Sequence, residues 1–406
     1  MRRPSPWLIA LLALVAGACG GAATDLQAAR IVILEPPTST VGPTPIVESA
    51  PAPPAEPAAE PSTTSPAATV PADEAPDDPP AVTSPPLVDG DTGERPLSAG
   101  TSIGAASGRL ATDGTPTFEG DFADPYLLAV DADIYAYATN TFFMNVPTLV
   151  ASADGEGDLL GDALPELPEW SEAGHVWAPS VTAVDDGYVL HYTTRHTASG
   201  RQCISVAVSD DPGGPFIDDS DEPLVCTLDL GGSIDPSTIE VDGELWLLWK
   251  SDGNCCGVPT IIFAQLLSED GTELAGEAVE LIRNDLSWER DVVEGPSMIE
   301  VDGEFHLFYS ANRWDTEAYA VGHAVCETVT GPCEKDPEPW LADTEGTSGP
   351  GGLEVMEVEG RPIDFVVYHG WTGDDIGYEN SQRSLYARPI RWVDGEPELI
   401  ERGNAA

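Results

Sequence analysis

From about residue 105 onward, hydrophobic and polar positions alternate in short runs, and the runs repeat. Five units begin at Asp124, Ala178, Asp235, Gly295 and Gly351, each reading as a short apolar strand, an acidic turn and an aromatic-rich strand. A proline recurs at 125, 179, 236 and 296, in steps of 54, 57 and 60 residues; Gly352 takes that place in the fifth unit, 56 further on. Asp242-Gly243 and Asp302-Gly303 mark hairpins, because an Asp-Gly pair tolerates the positive φ of a tight turn. Third strands are predicted at 204–208, 261–266 and 320–325. The stretch from Leu245 to Trp249 is apolar on both faces, as for a strand covered on each side by neighbouring sheets. No helical periodicity of useful length follows the N-terminal apolar run. A period of this length with three or four strands per unit predicts an all-β, five-bladed β-propeller around a central channel. A β-sandwich would leave the repeat unexplained.

The chain before the repeat reads differently. Arg2 and Arg3 precede an apolar run over 7–15, too short for a permanent membrane span and typical of a signal peptide. Ala16-Gly17-Ala18-Cys19 resembles the lipobox of bacterial lipoproteins, and Ala16-x-Ala18 also fits an ordinary secretory cleavage site. Pro, Ala, Thr, Ser and acids then dominate to about residue 96, a composition that reads as a disordered spacer. The expected organisation is a signal peptide at 1–18, a lipidated Cys19 with its linker at 19–104, and the propeller at 105–406. Such a chain is extracellular, anchored to the cell envelope by lipid, with a monomeric head.

Seventeen basic against 70 acidic residues give a net charge of −53, which excludes nucleic acid and anionic membrane surfaces as partners. Beyond Cys19 six cysteines remain, an even number, with 15 connectivities open to them. Cys203 and Cys226 flank a turn containing Gly213-Gly214-Pro215, and Cys326 and Cys333 flank one containing Gly331-Pro332. Local pairing of each leaves Cys255 and Cys256 to form a vicinal disulfide. Zinc is the alternative, but no Cys-x-x-Cys pair or histidine spacing supports it.

In a propeller, equivalent positions of successive blades encircle the axis. Beside the shared proline stand Asp124, Ala178, Asp235 and Gly295; one place earlier stand Ala123, Trp177, Ile234 and Glu294. Three carboxylates therefore gather at one end of the channel, and at least one of their pKa values should be raised. Any one of them alone would read as a turn residue. Together, beside an indole that could face a sugar ring, they suit cleavage of a glycosidic bond by an acid and a base. Trp177 could equally pack the blade.

These residues resemble glycoside hydrolase family 43. The similar motifs are Phe122-Ala123-Asp124-Pro125, His175-Val176-Trp177-Ala178-Pro179, Ile234-Asp235-Pro236, Glu294-Gly295-Pro296 and Tyr368-His369-Gly370-Trp371. The resemblance implies an inverting hydrolase of arabinose- or xylose-containing glycans, with Asp124 as general base, Glu294 as general acid and Asp235 tuning the acid. It implies a base–acid separation of roughly 6.5–9.5 Å, and a substrate contact for Arg383. Many members carry a histidine after a Gly-Pro-Gly turn that helps hold an axial ion; here Gly352 follows Gly349-Pro350-Gly351. No cofactor is therefore required, and a structural calcium is left unassigned. His175 and His323 read as packed or surface residues. The loops 140–170 and 252–259 shape the channel mouth. The competing class is a non-catalytic carbohydrate-binding propeller lipoprotein, whose signature would be a lost carboxylate; none is lost.

Overall fold

The computed structural model describes residues 115–131, 133–152, 157–343, 346–356, 364–372, 376–379 and 381–400. The expected signal peptide, Cys19 and the linker lie outside the described residues. Among the described residues, nineteen strands form five antiparallel sheets. The first holds β1 (Tyr126–Val130), β2 (Asp133–Tyr137), β3 (Pro147–Ser152) and β4 (Gly157–Asp162). The second holds β5 (Ser171–Val184), β6 (Gly187–His196) and β7 (Arg201–Ser209). The third holds β8 (Ser233–Val241), β9 (Glu244–Ser251), β10 (Ile261–Leu266) and β11 (Val279–Arg283). The fourth holds β12 (Val293–Val301), β13 (Glu304–Ala311), β14 (Ala320–Cys326) and β15 (Cys333–Lys335). The fifth holds β16 (Ser348–Met356), β17 (Asp364–Trp371), β18 (Arg383–Val393) and β19 (Glu396–Leu399). The first strands of the sheets, β1, β5, β8, β12 and β16, touch in succession, and β16 returns to β1. That closed ring makes the five sheets blades of a propeller.

The hairpin signals act as predicted. Asp242 and Asp302 both have φ 53°, and Gly243 and Gly303 follow with φ 82° and 89°. Val241 then pairs with Glu244, and Val301 with Glu304, so two residues close each turn. β9 explains why its strand is apolar on both faces. Leu247 and Trp249 pack with Ile204 toward the second blade, while Leu248 packs with Leu307 and Tyr309 toward the fourth. Burial on two sides removes the polar alternation a solvated sheet would show.

All three disulfides join the expected partners: Cys203–Cys226, Cys255–Cys256 and Cys326–Cys333. The first fastens β7 to a returning segment that serves as the outer edge of the second blade, through bridges Ile204–Val225 and Val208–Ile217. The third links β14 to β15 at paired positions.

Candidate active site

One residue in each blade adopts a left-handed backbone at the channel. These are Asp124 (φ 49°), Ala178 (41°), Asp235 (57°), Gly295 (55°) and Gly352 (55°). In the second to fifth blades the innermost pairing slips its register at that point, which is a β-bulge. A bulge turns consecutive side chains out of simple alternation and can aim neighbouring residues into one space. The bulges correct the alignment of the fifth unit. Gly352 is equivalent to the residue before the proline, and Leu353 takes the proline's place; without a proline the repeat gives no local anchor for that register. A Cβ in the left-handed region costs about 1–2 kcal/mol, yet Asp124, Ala178 and Asp235 all carry one.

A second ring holds the first. Thr139, Thr193, Lys250 and Ser310 each stand 15 residues after the left-handed residue of their own blade, and His369 stands 17 after Gly352. In four blades this side chain accepts the backbone N–H of the next blade's left-handed residue. Ala178 donates to Thr139 Oγ1 (3.0 Å), Asp235 to Thr193 Oγ1 (3.0 Å), Gly352 to Ser310 Oγ (2.8 Å) and Asp124 to His369 Nδ1 (3.0 Å). An ammonium cannot accept. Gly295 N–H therefore donates to Asp235 Oδ2 (2.9 Å), and Lys250 Nζ reaches Glu294 Oε2 (2.9 Å) instead.

Asp124, Asp235 and Glu294 line one cavity of about 830 Å³, together with Trp177 and Arg383. Their surroundings differ. Burial disfavours charge on Asp124, but Arg383 and the Thr139 hydroxyl outweigh it and hold the carboxyl well below the usual carboxylate range. Arg383 Nη1 lies 3.6 Å from Asp124 Oδ2, and Thr139 Oγ1 donates to the same oxygen at 2.6 Å. Burial pushes Asp235 the other way, and the Glu294 charge adds to the rise; Lys250 opposes it. Glu294 is held at both oxygens, by Lys250 Nζ on Oε2 and by the Tyr319 hydroxyl on Oε1 (2.9 Å). His369 is buried and its pKa is lowered by that burial, so it stays a neutral acceptor for Asp124 N–H, its proton on Nε2.

The remaining candidates fall as follows. Arg383 is no surface residue: it is buried, donates from Nε to the Tyr378 hydroxyl (2.9 Å) and lies over the Trp314 ring at 4.8 Å. Trp177 is half-buried on the cavity wall, edge-on to His175. His175 and His323 contact Arg195 and Asp336 and do not line the cavity. Lys250, Thr139 and Tyr319, which contact the candidate carboxylates, were not singled out by strand patterning, and His369 was quoted only as part of a motif. Glu354 also lines the cavity, and burial pushes its carboxyl up to about 8. A family histidine at Gly352 has no counterpart. A Cβ there would lie 2.6 Å from Asp124 Oδ1 and 2.7 Å from His369 Nδ1, so the residues present do not fit that axial metal ligand.

Three carboxylates at the axis of a five-bladed propeller, in a cavity walled by an indole and an arginine, are an arrangement suited to a glycoside hydrolase. The chain belongs to glycosyl hydrolases family 43, which it matches over residues 114–397. It is 26% identical over 279 residues to the β-D-galactofuranosidase xynD of Aspergillus niger, covering 63% of this chain and 76% of that one. It is 27% identical over 244 residues to α-L-arabinofuranosidase 43 of Humicola insolens, covering 56% of this chain and 50% of the relative. Among solved structures, a thermostable family-43 glycoside hydrolase superposes with a TM-score of 0.61 at 27% identity, over 70% of this chain and 95% of that one.

Proposed function

We propose that the protein is an inverting glycosidase acting on arabinose- or xylose-containing glycans. The observation that carries the proposal is that Asp124, Asp235 and Glu294 meet in one cavity in unlike surroundings. Asp124 is held ionised by Arg383 and the Thr139 hydroxyl, while burial and the nearby Glu294 charge favour the protonated form of Asp235. Two titratable groups pushed apart in this way divide the roles of base and acid. In this reading Glu294 gives its proton to the glycosidic oxygen as the C–O bond breaks. Asp124 takes a proton from the water that attacks the anomeric carbon from the opposite face, and Asp235 keeps the proton available to Glu294. Arg383 orients Asp124 and contacts substrate beside Trp177. The substrate class is supported by relatives named as an α-L-arabinofuranosidase and as an arabinan endo-1,5-α-L-arabinosidase of Aspergillus niger.

Leaving-group chemistry separates the two roles. Asp124→Asn should lower kcat on every substrate by about 10²–10⁴-fold. Glu294→Gln should do so on arabinan or xylan fragments, yet retain most activity on a dinitrophenyl glycoside, whose departure needs no acid. Equal losses in both variants on both substrates would overturn the assignment. Proton NMR of the first-formed sugar checks the stereochemistry, and retention would exclude direct displacement by a water activated at Asp124.

A further inference from the structure

Two phenylalanines beside the cavity stand in solvent. Phe142 is 93% exposed and Phe143 86%, and their rings meet edge to face with centroids 4.9 Å apart. Among the described residues, neither ring contacts another aromatic ring. Trp314 and Tyr378 are also exposed at the mouth, but on the side of the fourth and fifth blades, and packing explains them. Trp314 stacks on buried Trp371, and both rings flank the Arg383 guanidinium. Nothing comparable explains the phenylalanine pair.

Nor is its loop loosely held. Asn140 N–H donates to Val176 O at 2.8 Å, and its side-chain oxygen accepts Val176 N–H at 3.1 Å, clamping the loop's start to β5. At its end the Asp162 carboxylate accepts the N–H groups of Asn145 and Val146 at 2.8 and 2.9 Å. The Asn145 amide also donates to Leu164 O at 2.8 Å, and Thr141 N–H closes the turn on Met144 O at 3.0 Å. Two apolar rings are thus presented to water on a braced support. Adjacent exposed aromatics of this kind mark binding surfaces, and a flat ring suits the apolar face of a sugar.

Position decides the occupant. Phe142 lines the cavity that contains Asp124 and Glu294, and Phe143 follows it at the exposed rim. We infer that Phe142 and Phe143 form a distal sugar subsite that holds a polymeric glycan where it leaves the cavity on the side of the first and second blades. The inference rests on the glycosidase reading and deepens it: the substrate is a chain long enough to reach the rim, not a short glycoside.

The test compares kcat/KM on debranched arabinan and arabinoxylan with kcat/KM on aryl arabinoside or xyloside, in wild type and in F142A/F143A. The ratio of polymer to aryl-glycoside activity should fall about tenfold in the variant. An unchanged ratio would overturn the subsite. So would wild-type self-association in size-exclusion chromatography that the variant abolishes while the ratio holds, since the occupant would then be a second copy. Should wild type cleave nothing, the glycosidase reading fails separately. Native-gel retardation by the same polysaccharides then decides: retardation lost in F142A/F143A upholds the subsite, and absent or unaltered retardation sinks it.

Discussion

Lys250 is fully buried, and an isolated buried ammonium would cost several kcal/mol after relaxation. Its neighbours offset that. Glu294 on β12 lies at 2.9 Å and Asp252 at 3.8 Å, Asp235 on β8 interacts with it, and Tyr319 holds the far oxygen of Glu294. Burial raises the pKa of Asp235 and of Asp252, and the Lys250 charge opposes both rises. The ammonium favours the ionised carboxylates, so its removal should make them keep their proton to higher pH. Lys250→Met is therefore expected to move the basic limb of the kcat/KM profile upward by about one pH unit, and Lys250→Arg to restore it. A uniform loss of rate with the limb unmoved would reduce Lys250 to packing. The three carboxylates were legible from repeat phase alone, and so was the need for one raised pKa. Lys250 stood in equal phase with Thr139, Thr193 and Ser310. Its role was hidden because these side chains act across blade boundaries, on N–H groups that no single strand's pattern displays.

At the scale of the strand, the bulge converts a repeat into a site. Five innermost strands could have run straight, with alternating side chains; the left-handed residue instead brings Asp124, Asp235 and Glu294 into one cavity from unlike positions, Glu294 being one place earlier than the other two. Gly352→Ala adds a left-handed Cβ that meets Asp124 and His369, whereas Gly303→Ala adds one at φ 89° that meets nothing within 4 Å. Both substitutions carry the backbone cost, but only the first also crowds packed atoms, typically about 1–3 kcal/mol. Gly352→Ala should thus lower the melting temperature more than Gly303→Ala. It should also cut kcat/KM at least tenfold, because Asp124 or His369 must move; equal behaviour of the two variants in melting and kinetics would contradict this. The blade count, hairpin turns and disulfide partners could be read from composition and spacing. The fifth blade's register could not, because the proline that marks it elsewhere is missing there.

The ring must also close, and the closing seam runs through the site. The segment entering the first blade pairs with β18 of the fifth: Thr117 N–H donates to Leu385 O at 2.7 Å, and Phe122 N–H to Arg383 O at 2.8 Å. Phe118 and Phe122 meet at 5.7 Å, and both pack with Leu385 and Val367. The same few residues thus fasten the last blade to the first and fix Asp124, two places after Phe122, against Arg383 in β18. Stability and chemistry are coupled there. Phe122 is 1% exposed, so Phe122→Ala should cost about 3–5 kcal/mol in denaturant unfolding. Leu307→Ala, equally buried between the third and fourth blades, should cost a similar 2–5 kcal/mol. The two should part in kinetics. With both variants held well below their unfolding midpoints, Phe122→Ala should lower kcat/KM by loosening the Asp124–Arg383 contact, while Leu307→Ala should leave it near wild type. If both lose activity only in proportion to the fraction unfolded, the seam closes the propeller without positioning the site.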